Sequence, residues 1–112
     1  SDYIQAQRVR KMIKRDFADV LKKVDLLVTP TMTQPAPAFE GYDATSTVRG
    51  PSFTAPYNVT GLPAISIPCG FTAGGLPVGM QIAGKPFDEP TVIQAAYTYQ
   101  QHARWYQQRP SF

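Results

Sequence analysis

Cysteine and histidine are almost missing from this chain, with one of each, Cys69 and His102. A single thiol cannot close an intrachain disulfide, and one Cys with one His cannot complete a zinc site. Long hydrophobic runs are missing too. No stretch approaches the ~20 apolar residues of a membrane-crossing helix, and no apolar segment follows the basic N-terminal region as an export signal requires. Acidic side chains are few and scattered, which removes a metal-binding carboxylate cluster. Gly74 and Gly75 are too short a run for a phosphate loop, and no Lys-Ser/Thr pair follows at the required spacing. The expectation is a metal-free, cofactor-free protein of the reducing cytoplasm, with no membrane and no nucleic-acid partner.

What is present is a soluble globular composition: 112 residues, 43% hydrophobic and 17% charged, with a formal charge of +3. That length allows one small domain, which buries only ~65% of its unfolded surface and has a thin stability margin. The basic residues concentrate at Arg8, Arg10, Lys11, Lys14, Arg15, Lys22 and Lys23. They lack the interleaved aromatics that stack on bases, so they read as the solvated face of a helix.

Apolar residues Ile4, Val9, Met12, Ile13, Phe17, Val20, Leu21 and Val24 recur at helical spacing and predict a helix over residues 2–24. Asp2 and Gln5 form a capping-box pattern at its start. Residues 25–30 are nearly all apolar and end at Pro30, as suits a strand buried on both faces. Prolines keep residues 31–38 extended. Residues 38–52 have no period and read as a long surface loop. A short helix is predicted over residues 53–60, with Ser52 as N-cap, Pro56 in its first turns and Gly61 beyond its end.

Two strands follow, over residues 64–69 and 76–83, joined through a Gly-Gly turn as an antiparallel hairpin. Val78, Met80 and Ile82 fall on one side, and Gly79, Gln81 and Ala83 on the other. Small residues on that second face predict a close backbone approach. Asp88 caps a last helix with Pro90 in its first turn and Val92, Ala95, Ala96, Tyr99 and Ala103 facing inward. Pro110 stops any helix before the end. The fold class is α/β: a partial mixed sheet flanked by helices, with an open apolar edge that favours self-association or docking.

No residue carries a hydrolase signature. Ser66 sits between two isoleucines without a nucleophile elbow, and Ser46 and Ser52 lie in the loop. Cys69 reads as a small buried hydrophobe, and His102 as a cation at a helix C-terminus. Phe53, Tyr57, Phe71 and Phe87 are expected around the core. Tyr97, Trp105 and Tyr106 are expected to be partly exposed.

Four segments carry a resemblance: Tyr3-Ile4-Gln5-Ala6-Gln7-Arg8, Asp25-Leu26-Leu27-Val28-Thr29-Pro30-Thr31, Pro56-Tyr57-Asn58-Val59-Thr60-Gly61-Leu62-Pro63-Ala64 and Gly79-Met80-Gln81-Ile82-Ala83-Gly84-Lys85-Pro86. Together they resemble the C-terminal part of the amidase signature family, which includes amidases and the A subunit of tRNA-dependent amidotransferases. The resemblance implies an α/β/α fold with a large mixed sheet, of which residues 1–112 supply roughly the last quarter. It also implies amide hydrolysis by a Ser–cis-Ser–Lys triad on an upstream segment, and no position here matches that triad. The catalytic set within the chain is therefore empty, and the isolated chain is expected to be inactive.

The resemblance further implies that Thr31, Met32, Phe53, Thr54 and Tyr57 face the channel for a small-molecule amide. Pro51 stands where the amidotransferases carry an aspartate for glutamine, which points to less polar amides. Ser1 opening a helix without an initiator Met adds the expectation of a fragment that docks with a missing N-terminal part. Two alternatives stay open: a non-catalytic free-standing module of this fold, and the A subunit of an amidotransferase.

Overall fold

The computed structural model describes residues 1–43 and 52–111. Its elements in order are α1 (Asp2–Leu21), β1 (Leu26–Pro30), α2 (Ala55–Thr60), β2 (Ala64–Phe71), β3 (Pro77–Gly84), α3 (Glu89–His102) and a 3₁₀ turn, Trp105–Gln107. The three strands form one sheet in the order β1-β3-β2, with both pairings antiparallel. The β2–β3 hairpin is the expected one. Its loop closes by a Gly75 N–H donating to the Thr72 carbonyl, with Gly75 at φ 88°. A register shift between Pro68 and Gly70 lets Pro68 lie in β2, where its missing N–H needs no ladder partner.

One face of the sheet carries the apolar core. Ile67, Ile82, Val92 and Ala96 are buried together, with Leu26, Ile65, Met80, Ala95 and Tyr99 packed around them. Period-2 alternation on β2 and β3 and the i, i+4 pair Val92–Ala96 on α3 bring these side chains into one layer. Gly84 matters to this contact: a Cβ there would stand 2.7 Å from Val92 Cγ2, so α3 reaches the sheet only over a bare backbone. The segment just before α2 meets the second face, where the Phe53 carbonyl accepts from Gln81 Nε2, and α2 in turn packs on α1.

Several expectations change in detail. Helix α1 ends at Leu21, with Lys22 as C-cap, rather than at residue 24. Its N-cap is Ser1, whose Oγ accepts from the Ile4 N–H, so the cap lies one residue before Asp2. Of the apolar stripe, only Ile13 and Phe17 are half-buried and Leu21 buried, a line at i, i+4 spacing; Ile4, Val9, Met12 and Val20 stay exposed. Strand β1 is not buried on both faces. Among the described residues β3 is its one strand neighbour, α3 packs over β2 and β3, and Val28 is 59% exposed.

Strand β3 starts at Pro77 and ends at Gly84, one residue later than expected at each end. Phe87 does not join the core: it is 90% exposed on a left-handed backbone, φ 61°. Phe71 instead meets the indole of Trp105 edge-on, centroids 6.0 Å apart. Tyr97 is exposed, as the helical spacing predicts.

Candidate functional site

At the Pro30 end of the sheet an open groove of about 690 Å³ runs beside the extended segment after β1. Pro30, Pro35 and Pro37 hold that segment away from helical geometry, and Met32, Phe53, Pro77, Val78 and Gly79 complete the walls. The lining side chains are apolar, hydroxyl or amide, and none of them ionises in the physiological range. Such a surface can shape, orient and desolvate a neutral ligand.

The five residues predicted for the channel separate. Met32 and Phe53 line the groove and are 59% and 38% exposed. Thr31 is half-buried at its edge; its backbone N–H donates to the Gly79 carbonyl, and its hydroxyl lies 2.6 Å from Ser66 Oγ. Thr54 is the N-cap residue of α2 but makes no side-chain cap. Ser52 does that work, with its Oγ accepting from the N–H groups of Thr54 and Ala55. Tyr57 is 9% exposed and meets Phe17 of α1 edge-on, centroids 5.6 Å apart. It lies outside the groove lining, and burial pushes its phenol above the usual pKa. Pro51, Ser46 and the remainder of 44–51 lie outside the described residues.

Two residues on the second side of β3, neither of them expected at the channel, hold the groove in shape. Gln81, 5% exposed, donates through Nε2 to the Phe53 carbonyl at 2.8 Å and to Thr29 Oγ1 at 3.2 Å. A buried amide costs free energy unless bonded, so these contacts fix where residue 53 lies against β3. Gly79 is the second. Its face was expected to admit another backbone; what approaches instead is a pair of hydroxyls, with Thr31 Oγ1 3.0 Å and Ser66 Oγ 3.1 Å from where a Cβ would be. The one sequence signal for both was the small-residue side of β3.

Other polar groups are placed away from the groove. Lys85 pairs with Asp25 at 3.4 Å near the opposite end of the β1–β3 ladder. Lys14, Lys22 and Lys85 line a second hollow of about 400 Å³ with Phe17, Leu21 and Leu62. Cys69 is half-buried and His102 is exposed in the last turn of α3. Arg10 donates to the Val59 carbonyl, and the other basic residues of α1 are solvated. Among the described residues no group of three or more His, Cys, Asp or Glu could hold a metal, and no helix is long and apolar enough to cross a membrane.

Comparison with known proteins agrees with this architecture. The Amidase family matches residues 1–93. The A subunit of the glutamyl-tRNA(Gln) amidotransferase from Thermodesulfovibrio yellowstonii is 48% identical over 112 residues, covering 96% of this chain and 23% of its own length. The crystal structure of the corresponding A subunit from Thermotoga maritima superposes with a TM-score of 0.70 at 36% identity, over 80% of this chain and 20% of that one. A 6-aminohexanoate cyclic dimer hydrolase follows at TM-score 0.67 and 34% identity, over 78% of this chain and 21% of that one. The chain thus spans about a quarter of the length of the curated relatives it matches. With the family matched over most of the chain and the sheet and helices superposing on its solved structures, the chain belongs to the amidase family.

Proposed function

We propose that residues 1–112 are the C-terminal segment of an amidase domain in a cytoplasmic hydrolase of carboxylic amides. In this reading the Ser–cis-Ser–Lys triad lies on polypeptide outside these residues, and the segment supplies one wall of the substrate cleft. The observation that carries it is the groove itself: a concave surface on a family fold, with no ionisable side chain among the described residues that line it. Such a wall binds and orients but cannot supply the nucleophile and base that acyl transfer needs. Met32 and Phe53 contact the substrate directly, and Thr31 and Thr54 shape the rim. Tyr57 acts from behind, holding α2 against α1. No cofactor or metal is required.

The apolar lining and Pro51 favour small, weakly polar amides. The test is turnover by the natural full-length polypeptide. Hydrolysis of simple aliphatic or aromatic amides, with weak action on glutamine, is the expected result. Strong glutamine hydrolysis with no action on simple amides would overturn the substrate class. Turnover by the isolated 112 residues, lost on replacing one of their serines, would overturn the division of labour.

A specific observation favours a second reading, the A subunit of a tRNA-dependent amidotransferase: the relative at 48% identity carries that name. Under it, glutamine hydrolysis would depend on partner subunits. A free-standing, non-catalytic module of the same fold is the third possibility, and a natural gene product close to this length would support it.

A further inference from the structure

We infer that Ser66, joined to Thr31 across the bare backbone of Gly79, is a substrate-positioning residue that donates a hydrogen bond to a carbonyl oxygen in the groove. The inference rests on the reading of the groove as part of an amide-binding cleft. Ser66 is on β2 and Thr31 follows β1, so β3 lies between them. Their hydroxyls nevertheless stand 2.6 Å apart. They meet because residue 79, which itself lines the groove, has no side chain; a Cβ there would press on both oxygens.

The hydrogen count then decides what the pair can do. Two hydroxyls hold two O–H groups, and their mutual bond uses one. Among the described residues neither oxygen has another side-chain partner, and either hydroxyl can donate to the other; when Thr31 donates, the remaining O–H is that of exposed Ser66, polarised by the bond behind it. With no cation among the described residues that line the groove, the fitting acceptor is a neutral carbonyl, which an amide substrate has.

A purely structural tie fits less well. Ser66 is exposed, where a hydrogen bond adds little stability, and a glycine inside a strand costs about 0.5–1 kcal/mol against alanine. Neither Ser66 nor Thr31 is itself in the groove lining; the pair borders the groove through Gly79, where a side chain in place of the bare backbone would separate the two hydroxyls from it.

The test compares Ser66→Ala, Thr31→Val, Gly79→Ala and the conservative Ser66→Thr in the natural full-length enzyme, using benzamide. Loss of one neutral hydrogen bond predicts a rise in KM of about 3- to 10-fold for Ser66→Ala, with kcat and thermal midpoint kept and with recovery in Ser66→Thr. Unchanged KM in Ser66→Ala overturns the inference while benzamide turnover keeps the amidase reading intact. A fall in thermal midpoint with KM unchanged also overturns it, because it makes the pair a structural tie. If the wild type turns over no amide, the amidase reading fails, and direct titration with benzamide decides this inference separately. Weaker binding in Ser66→Ala, restored in Ser66→Thr, supports it; equal binding, or none in the wild type, ends it.

Discussion

The two faces of the sheet are held in different ways. On the α3 face, Ile67, Ile82, Val92 and Ala96 exclude water and Gly84 sets how closely the helix lies. On the opposite face, Gln81, Thr29, Thr31 and Ser66 make directional bonds around Gly79. Apolar packing is strong and tolerant of orientation; hydrogen bonds contribute less but fix position. The fold rests on the first face, and the candidate site lies at the Pro30 end of the sheet, where the second face borders it.

That contrast can be broken most forcefully at Ile82, which is 3% exposed. Ile82→Ala should cost about 2–5 kcal/mol in chemical denaturation. Val28, its cross-strand neighbour in β1, is 59% exposed, so Val28→Ala should stay within about 0.5 kcal/mol in the 112-residue chain. A larger Val28 effect in a longer polypeptide would reveal an element that covers β1. Next in size is Gly84→Ala, whose added Cβ would press on Val92; about 1–3 kcal/mol should be lost, and part should return in the Gly84→Ala/Val92→Ala double variant.

The polar face should respond less in stability. Gln81→Leu keeps the bulk but removes the donor to the Phe53 carbonyl, for an expected loss of about 1 kcal/mol. Faster amide exchange around residues 52–54 would mark the freed segment. Smallest is a pH effect at Tyr57. Its phenol pKa is raised in the folded chain by burial, so the folded state holds that proton more tightly than the unfolded chain does. Stability from this group is complete below the unfolded value near 10 and falls as pH rises through the folded pKa. Tyr57→Phe should flatten that alkaline loss in a series of denaturation midpoints, and an unchanged slope would assign it elsewhere.

Much of the architecture was legible from local chemistry. Alternation with a Gly-Gly turn gave the β2–β3 hairpin, and Asp88 with Pro90 gave the start of α3. Gly61, at φ 72°, ends α2 as its position implied. Segments such as Gly79-Met80-Gln81-Ile82-Ala83-Gly84 also carried the family. What escaped were facts made by distant partners. Gln81 reads as one more residue on a strand until the Phe53 carbonyl is beside it. Ser66 reads as a packing position until the register puts it across Gly79 from Thr31. The helical period of α1 could not tell which apolar residues would find cover. Phe87 was misplaced because its exposure follows from a left-handed backbone that no local pattern announces.

The order of strands in the sheet also bears on how the chain folds. Phe71 pairs with Pro77 across a short turn, whereas Leu26 pairs with Gly84 across about half of the sequence. The hairpin can therefore form early and present one free flank of β3, with β1 arriving last after the longest closure. Closure entropy grows only with the logarithm of length, so doubling the connection between β1 and α2 should cost only about 0.6 kcal/mol. Evolution could lengthen or shorten that connection, and with it one border of the groove, while leaving the assembly route intact.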